Sequence, residues 1–439
     1  ELDLAVTHRR YLIAASGVVA FAAGLRLFAL GFWRQLIFDE NYYVKDAISL
    51  RLFGAELAWP KGASAGIENG GVPQPLNEPE LISHPPLGKW LISLGFDIFG
   101  ETNPIGWRIS AAVAGILCVI LVMSIARLMF DSQRISLLAG VLMAVDGTAV
   151  LMSRVALLDG FLALFVLLAW WCFLRSRHSP AAGLWLLATG VSLGAATAVK
   201  WSGLWFALAL TVYAVVTNRR RFDAFWRLSL PAVITYLASW GAWFAGSVGL
   251  DRNPQDNPAA AFWRLHLNML EYNLHYVSVH PSVSTPLEWL TLAKPTLLMV
   301  DPHSTASANC GIQQNCKLII SSLGNPLIWW LGLVALIVLA IWRIRGLEKR
   351  ATLLLLGFAA GWAPWLLFAS RTAFHFYVIA FEGFLVIALA WWLAKLSNRR
   401  QLLVMAAIVA LSFVFLPYQL GTAQPDWYWQ VTRWLPNWQ

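Results

Sequence analysis

The chain keeps returning to blocks of mostly apolar residues, each close to the length a helix needs to cross the hydrocarbon core of a bilayer, about 20 residues. Eleven such blocks are read at 11–31, 107–126, 135–152, 157–174, 183–199, 203–217, 228–249, 326–342, 351–369, 373–393 and 401–417. Only fully hydrogen-bonded segments are tolerated in lipid. The expected fold class is therefore an all-α polytopic membrane protein with about eleven transmembrane helices. Composition agrees. Of 439 residues, 13% are charged, against about a quarter in a soluble domain. The 25 Trp suit aromatic belts at the membrane interface. No small-residue cleavage site follows the block 11–31, which is expected to be a permanent first span rather than a removed signal peptide.

A net charge of +9 would suit a nucleic-acid partner only if the cations formed a groove. Instead they punctuate the apolar blocks, at Arg9 and Arg10, Arg127 and Arg134, Arg175 and Arg177, Arg219 to Arg221, Arg343 to Arg350, and Lys395 to Arg400. Every second connection is short and basic, which is the positive-inside pattern, and no nucleic-acid partner is expected. The alternation puts the N-terminus in the cytoplasm and the C-terminus outside.

Two connections are long, 32–106 and 250–325, and both fall outside. Long external loops on a helical bundle are where chemistry tends to sit. Within them, Tyr43, Ala47 and Leu50 share one helical face before Gly54, and Phe262, Leu265 and Met269 share another. Both read as helices lying on the membrane surface. The chain is expected to be one transmembrane domain over 1–439, with no separate soluble domain.

Asp39 and Glu40 follow the apolar Leu36-Ile37-Phe38. Partial desolvation there would raise a carboxylate toward the range of a useful general base. An N-cap on the helix beginning at Glu40 is an equally open reading of Asp39. His84-Pro85-Pro86-Leu87-Gly88-Lys89 is a stiff segment that would present His84 and Lys89, or simply start a helix. Arg108, Arg154, Asp159, Lys200 and Arg371 sit at external ends of spans, where cations are normally sparse. An anionic ligand in the outer leaflet would explain several converging cations; snorkelling, or an Arg154–Asp159 ion pair, would explain single ones. His375, Phe376 and Tyr377 open the tenth span, with Glu382 deeper.

No Gly-rich phosphate loop, HExxH or nucleophile elbow is present. No metal site is expected, since His266, His275 and His280 match no ligand template, and no cofactor is assigned. Cys118 and Cys172 lie in apolar blocks, while Cys310 and Cys316 share an external polar loop and are expected to form a disulfide.

At this point the chain resembles the protein O-mannosyltransferases, and among them the bacterial, actinobacterial type. Phe38 to Ala47 resembles the family's acidic-pair motif, and His84 to Lys89 the segment after it. Gly106-Trp107-Arg108, Arg154 through Asp159, Val199 to Gly203, Gly324-Asn325-Pro326 and Asp426 to Trp429 continue the match in order. The resemblance implies a GT-C glycosyltransferase fold. It also implies transfer of mannose, with inversion, from polyprenyl-phosphate-mannose to Ser or Thr of exported polypeptides, at the external face of the cytoplasmic membrane. Membrane lipid and the secretion translocon are the further partners it suggests. The second loop is too short for the sugar-binding-like domain of eukaryotic members. On this reading Asp39 is the general base and Glu40 its neighbour in acceptor positioning. Arg108, Arg154 and Lys200 hold the donor phosphate, with His84, Lys89, Asp159 and His375 as further substrate residues. The rivals are a related transferase of lipid-linked aminoarabinose or arabinose, and a transporter of an anionic lipid or solute. A transporter should show inverted repeats and broken midplane helices, and the sequence shows neither.

Overall fold

The computed structural model describes residues 2–438 apart from 219, 254 and 302–315. Helix α1 spans Leu2–Leu27. The first long connection then folds into α2 (Glu40–Phe53), α3 (Ala63–Glu68), α4 (Leu87–Ser93) and α5 (Phe96–Phe99). The bundle continues with α6 (Pro104–Phe130), α7 (Gln133–Val145), α8 (Gly147–Met152), α9 (Asp159–Ser176), α10 (Ala182–Val199), α11 (Gly203–Thr217) and α12 (Arg221–Ser239). The second long connection holds α13 (Gly241–Ala245), α14 (Pro258–His275) and α15 (Pro286–Thr291). Helices α16 (Pro326–Ile344), α17 (Ala351–Trp362), α18 (Ile379–Leu393) and α19 (Asn398–Leu420) complete the bundle, and α20 (Asp426–Thr432) follows.

Eight described helices are long and apolar enough to cross a membrane. Each of the eleven expected blocks is met by helix, but three fall short of that length or apolarity. The block 135–152 is divided at Asp146, whose side chain caps α8 by accepting from Thr148 N. Helix α11 has 15 residues, and α12 carries Arg221, Asp223 and Arg227 in its first turns. The bundle's outer face is apolar, the reverse of a soluble protein. On α11, Leu204, Leu208, Val212 and Val216 recur every fourth residue and are exposed, a stripe suited to lipid. Helix α18 is its opposite, buried along almost its whole length against α7, α9, α16 and α17.

Close helix contacts use small residues. A Cβ added at Gly190 or Gly194 would meet the α12 backbone at 2.5 and 2.4 Å. This Gly-x-x-x-Gly spacing on α10 lets α12 approach directly. Helix starts follow local chemistry: Asn103 caps α6, Asn257 caps α14 and Asn325 caps α16, each followed by proline.

The all-helical expectation needs one correction. A three-stranded antiparallel sheet, ordered β1-β2-β3, joins β1 (Leu297–Asp301) and β2 (Cys316–Ser321) of the second loop to β3 (Ala423–Pro425) near the C-terminus. Its first two strands are short apolar runs, which periodicity alone does not separate from helix. Both segments expected to be helical in the long connections are helices. Helix α2 buries Tyr43, Ala47 and Leu50, and α14 buries Leu265 and Met269. Cys118 and Cys172 are free and buried. Cys310, expected to pair with Cys316, lies outside the described residues.

Candidate active site

The acidic pair stands at a strained corner. Phe38 adopts φ +52°, costly for a bulky residue. Its ring is held edge-on by Phe374 at 5.1 Å and His280 at 5.5 Å. Asp39 then occupies the N-cap position of α2 without capping it: its backbone is helical and its carboxylate takes no cap hydrogen bond. The side chain instead lines a cavity of about 400 Å³ with Asp46, Glu80, His84, Arg371 and Tyr377, among others. The Tyr43 hydroxyl donates to Asp39 Oδ2 at 3.5 Å. Burial raises the Asp39 carboxyl to about 6; the Lys200 ammonium opposes that shift and the Asp159 carboxylate adds to it.

Glu40 points the other way. It is fully buried and accepts from Arg108 Nε at 2.8 Å and Nη2 at 2.7 Å. It also accepts from Ile37 N and Ala156 N. A carboxylate so occupied has no lone pair left for an acceptor substrate, so it ties the corner to the bundle.

A second cavity, of about 310 Å³, adjoins the first through His84 and Arg371, which line both. It contains Lys200, Trp201 and Trp205. Lys200 follows α10 in extended backbone, and its Nζ lies 2.9 Å from Asp159 Oδ1 and 3.8 Å from the Tyr377 ring centroid. Arg371 donates to Asn273 Oδ1 at 2.8 Å, while its Nε is buried with no partner among the described residues. Burial, with Lys200, Arg371 and Lys89 nearby, holds His84 well below the usual histidine range, so its imidazole is neutral. A third cavity, of about 410 Å³, shares Trp201, Leu204 and Leu270 with the second and runs between α10, α11, α12 and α14.

The structure thus gathers Asp39, His84 and Lys200, with Asp159 behind Lys200. Four other expected substrate residues lie elsewhere. Arg108 spends its guanidinium on Glu40 and on the carbonyls of Trp33 and Gln35. Arg154 donates to the carbonyls of Leu25, Arg26 and Phe28, satisfying the end of α1, and Asp159 pairs with Lys200 rather than with it. Lys89 sits 3.0 Å from both Asp46 and Glu56. His375 is buried against Ser322, with Nδ1 at 3.1 Å from its hydroxyl. Tyr377, in the same 3-10 turn His375–Val378, lines the cavity instead. Among the described residues no cluster of three or more metal-ligating side chains occurs.

Residues 76–251 match the family model for dolichyl-phosphate-mannose-protein mannosyltransferase. Residues 258–438 match the C-terminal four-transmembrane region of protein-O-mannosyltransferase. Polyprenol-phosphate-mannose–protein mannosyltransferase of Mycobacterium tuberculosis is 30% identical, over 92% of this chain and 86% of the relative. The Corynebacterium glutamicum protein of the same name is 29% identical, over 92% and 88%. In fold, the chain is similar to a subunit of the donor-bound Pmt1-Pmt2 complex of Saccharomyces cerevisiae (TM-score 0.76, 16% identity, 98% of this chain and 93% of that one). It is also similar to undecaprenyl-phosphate-bound ArnT of Cupriavidus metallidurans (TM-score 0.59, 20% identity, 91% and 64%). A GT-C bundle, a cavity lined by Asp39 beside one lined by Lys200, and relatives matched over nearly their full length agree: this chain belongs to the protein mannosyltransferase family, enzymes of the glycosyltransferase class.

Proposed function

We propose that the protein transfers mannose, with inversion, from polyprenyl-phosphate-mannose to Ser or Thr hydroxyls of exported polypeptides at the external face of the cytoplasmic membrane. One observation carries the reading: the cavity lined by Asp39 shares two wall residues, His84 and Arg371, with the cavity lined by Lys200. The first suits an acceptor hydroxyl and the second a lipid-linked phosphate.

In the reaction the Asp39 carboxylate takes the proton of the acceptor hydroxyl as its oxygen bonds to the mannose anomeric carbon. The bond from that carbon to the phosphate oxygen breaks, and its electron pair leaves with polyprenyl phosphate. Arg371, whose Nε has no partner among the described residues, and Lys200 balance the departing charge. Because the leaving phosphate is a stable anion, no protonating acid is required, consistent with a neutral His84. Arg108 and Glu40 hold the corner that aims Asp39. The basic connections support the orientation: Arg127 and Arg175 close α6 and α9 at ends opposite to the one where α10 delivers Lys200. A Cys310–Cys316 disulfide suits that external setting, as does the secretion translocon as a source of unfolded acceptors.

The test is purified protein with polyprenyl-phosphate-mannose and a Ser/Thr peptide, read by mass. One added hexose at the hydroxyl is expected; intact donor and unmodified peptide would overturn the reading.

A further inference from the structure

The cavity between α10, α11, α12 and α14 contains polar side chains that the transfer reaction does not use. Trp201, Tyr236 and His266 all line it, and they are joined in one chain of hydrogen bonds. His266 Nδ1 lies 2.9 Å from the Phe262 carbonyl, which can only accept, so Nδ1 carries the proton. A neutral imidazole then accepts at Nε2, where the Tyr236 hydroxyl lies at 2.7 Å. Tyr236 in turn accepts from the Trp201 indole N–H at 3.0 Å. The direction is fixed throughout, from Trp201 to Tyr236 to His266 to Phe262, and burial favours the neutral histidine it needs.

The chain links three elements. Trp201 lies in the turn between α10 and α11, Tyr236 on α12, and His266 on the surface helix α14. Around it α14 docks through its own small core, in which Ala261, Leu265 and Met269 meet Ile82, Trp240 and Trp243. Trp201 directly follows Lys200 and also lines the neighbouring cavity that holds it. Its ring is therefore a wall shared by the cationic cavity and the apolar groove. Leu204, Leu237, Val233 and Leu270 make the rest of that groove hydrocarbon-like.

We propose that Trp201, Tyr236 and His266 form a positioning latch that fixes the shared wall and so sets how well the enzyme holds a long polyprenyl chain relative to a short one. The proposal rests on a polyprenyl-phosphate donor, as above. With the latch closed, the wall is rigid and the groove is shaped before the lipid arrives. Without it, the Trp201 N–H and the His266 nitrogen are left unpaired beside hydrocarbon, and α14 loses its register on the bundle.

Dissociation constants for long-chain and short-chain polyprenyl phosphate decide the matter, measured on purified wild type, Tyr236→Phe, His266→Leu and His266→Gln. Tyr236→Phe and His266→Leu should weaken binding of the long chain about tenfold and leave the short chain nearly unchanged. His266→Gln, whose amide oxygen can accept at the Nε2 position, should restore most of the difference. Circular dichroism and thermal unfolding identify any variant that has lost its fold, and the His266 pair then decides the question without Tyr236→Phe. Equal chain-length preference in all folded variants overturns the latch. A wild type that shows the preference but never mannosylates a peptide overturns the proposed function and leaves the latch standing.

Discussion

The Arg108 guanidinium grips both oxygens of Glu40, at 2.8 and 2.7 Å, and by turning Glu40 inward it leaves Asp39 as the carboxylate of the pair that faces the cavity. Two adjacent acids of one motif thus have opposite duties. Glu40→Gln should act first on stability: removing one partner of a buried ion pair costs on the order of 3–5 kcal/mol. Thermal unfolding in detergent should show a large drop for Glu40→Gln and a small one for Asp39→Asn. Equal stabilities would mean that the Arg108–Glu40 pair does not hold the corner.

The cations of the second cavity should act on the donor. Lys200→Ala and Arg371→Ala should each raise the donor KM, and Arg371→Lys should rescue only in part, because an ammonium lacks the planar fork of a guanidinium. Arg108→Lys belongs to the other group and should lower stability while leaving the donor KM near that of wild type. Steady-state kinetics with varied donor at saturating peptide separate the two.

The pH profile follows from Asp39. Its carboxyl, raised by burial to about 6, must be ionised to accept a proton, so activity should fall as pH drops through that value and level off above it. The sign for Tyr43→Phe is set by its hydrogen bond. The hydroxyl donates to the charged carboxylate, so losing it disfavours the charge and should move the acid limb to higher pH. A profile flat from pH 5 to 8 would exclude Asp39 as the titrating base.

Orientation is testable with single cysteines in intact cells. Arg220 and Asn77 are both exposed, and the positive-inside pattern predicts them on opposite faces of the membrane. A membrane-impermeant thiol reagent should modify a cysteine at Asn77 and spare one at Arg220. Labelling at Arg220 from outside would reverse the topology.

Much of the fold was legible because lipid is a strict solvent: the apolar blocks, their basic connections and the helices of the two long loops follow from length and hydropathy. The small sheet was not legible, since Leu297 to Val300 and Leu318 to Ile320 are apolar runs with no decisive period. In the site, Asp39, His84 and Lys200 were recognisable as polar groups at apolar boundaries. Sequence could not distinguish cations that face a cavity from cations that bind protein. Arg108, Arg154 and Lys89 were expected on the same side as Lys200 and Arg371, and only the packed structure reveals Arg108 on Glu40 and backbone carbonyls, Arg154 on backbone carbonyls and Lys89 between two carboxylates, away from the cavities. Tyr377 was legible only as part of the start of the tenth span, beside His375; that Tyr377 and not His375 lines the cavity emerges from the structure alone. The bond from Tyr43 to Asp39 lies one helical turn apart, but nothing in the sequence said that Asp39 would decline to cap α2.

Whether Asp39 removes the acceptor proton is read from the turnover of Asp39→Asn. Asparagine keeps the shape, and it is among the best N-caps should capping matter after all, but it cannot take a proton at neutral pH. The variant should fold, bind polyprenyl phosphate as wild type does, and lose roughly two to four orders of magnitude in kcat, the usual contribution of a positioned base. A folded Asp39→Asn enzyme that mannosylates peptide at close to the wild-type rate would exclude Asp39 as the base.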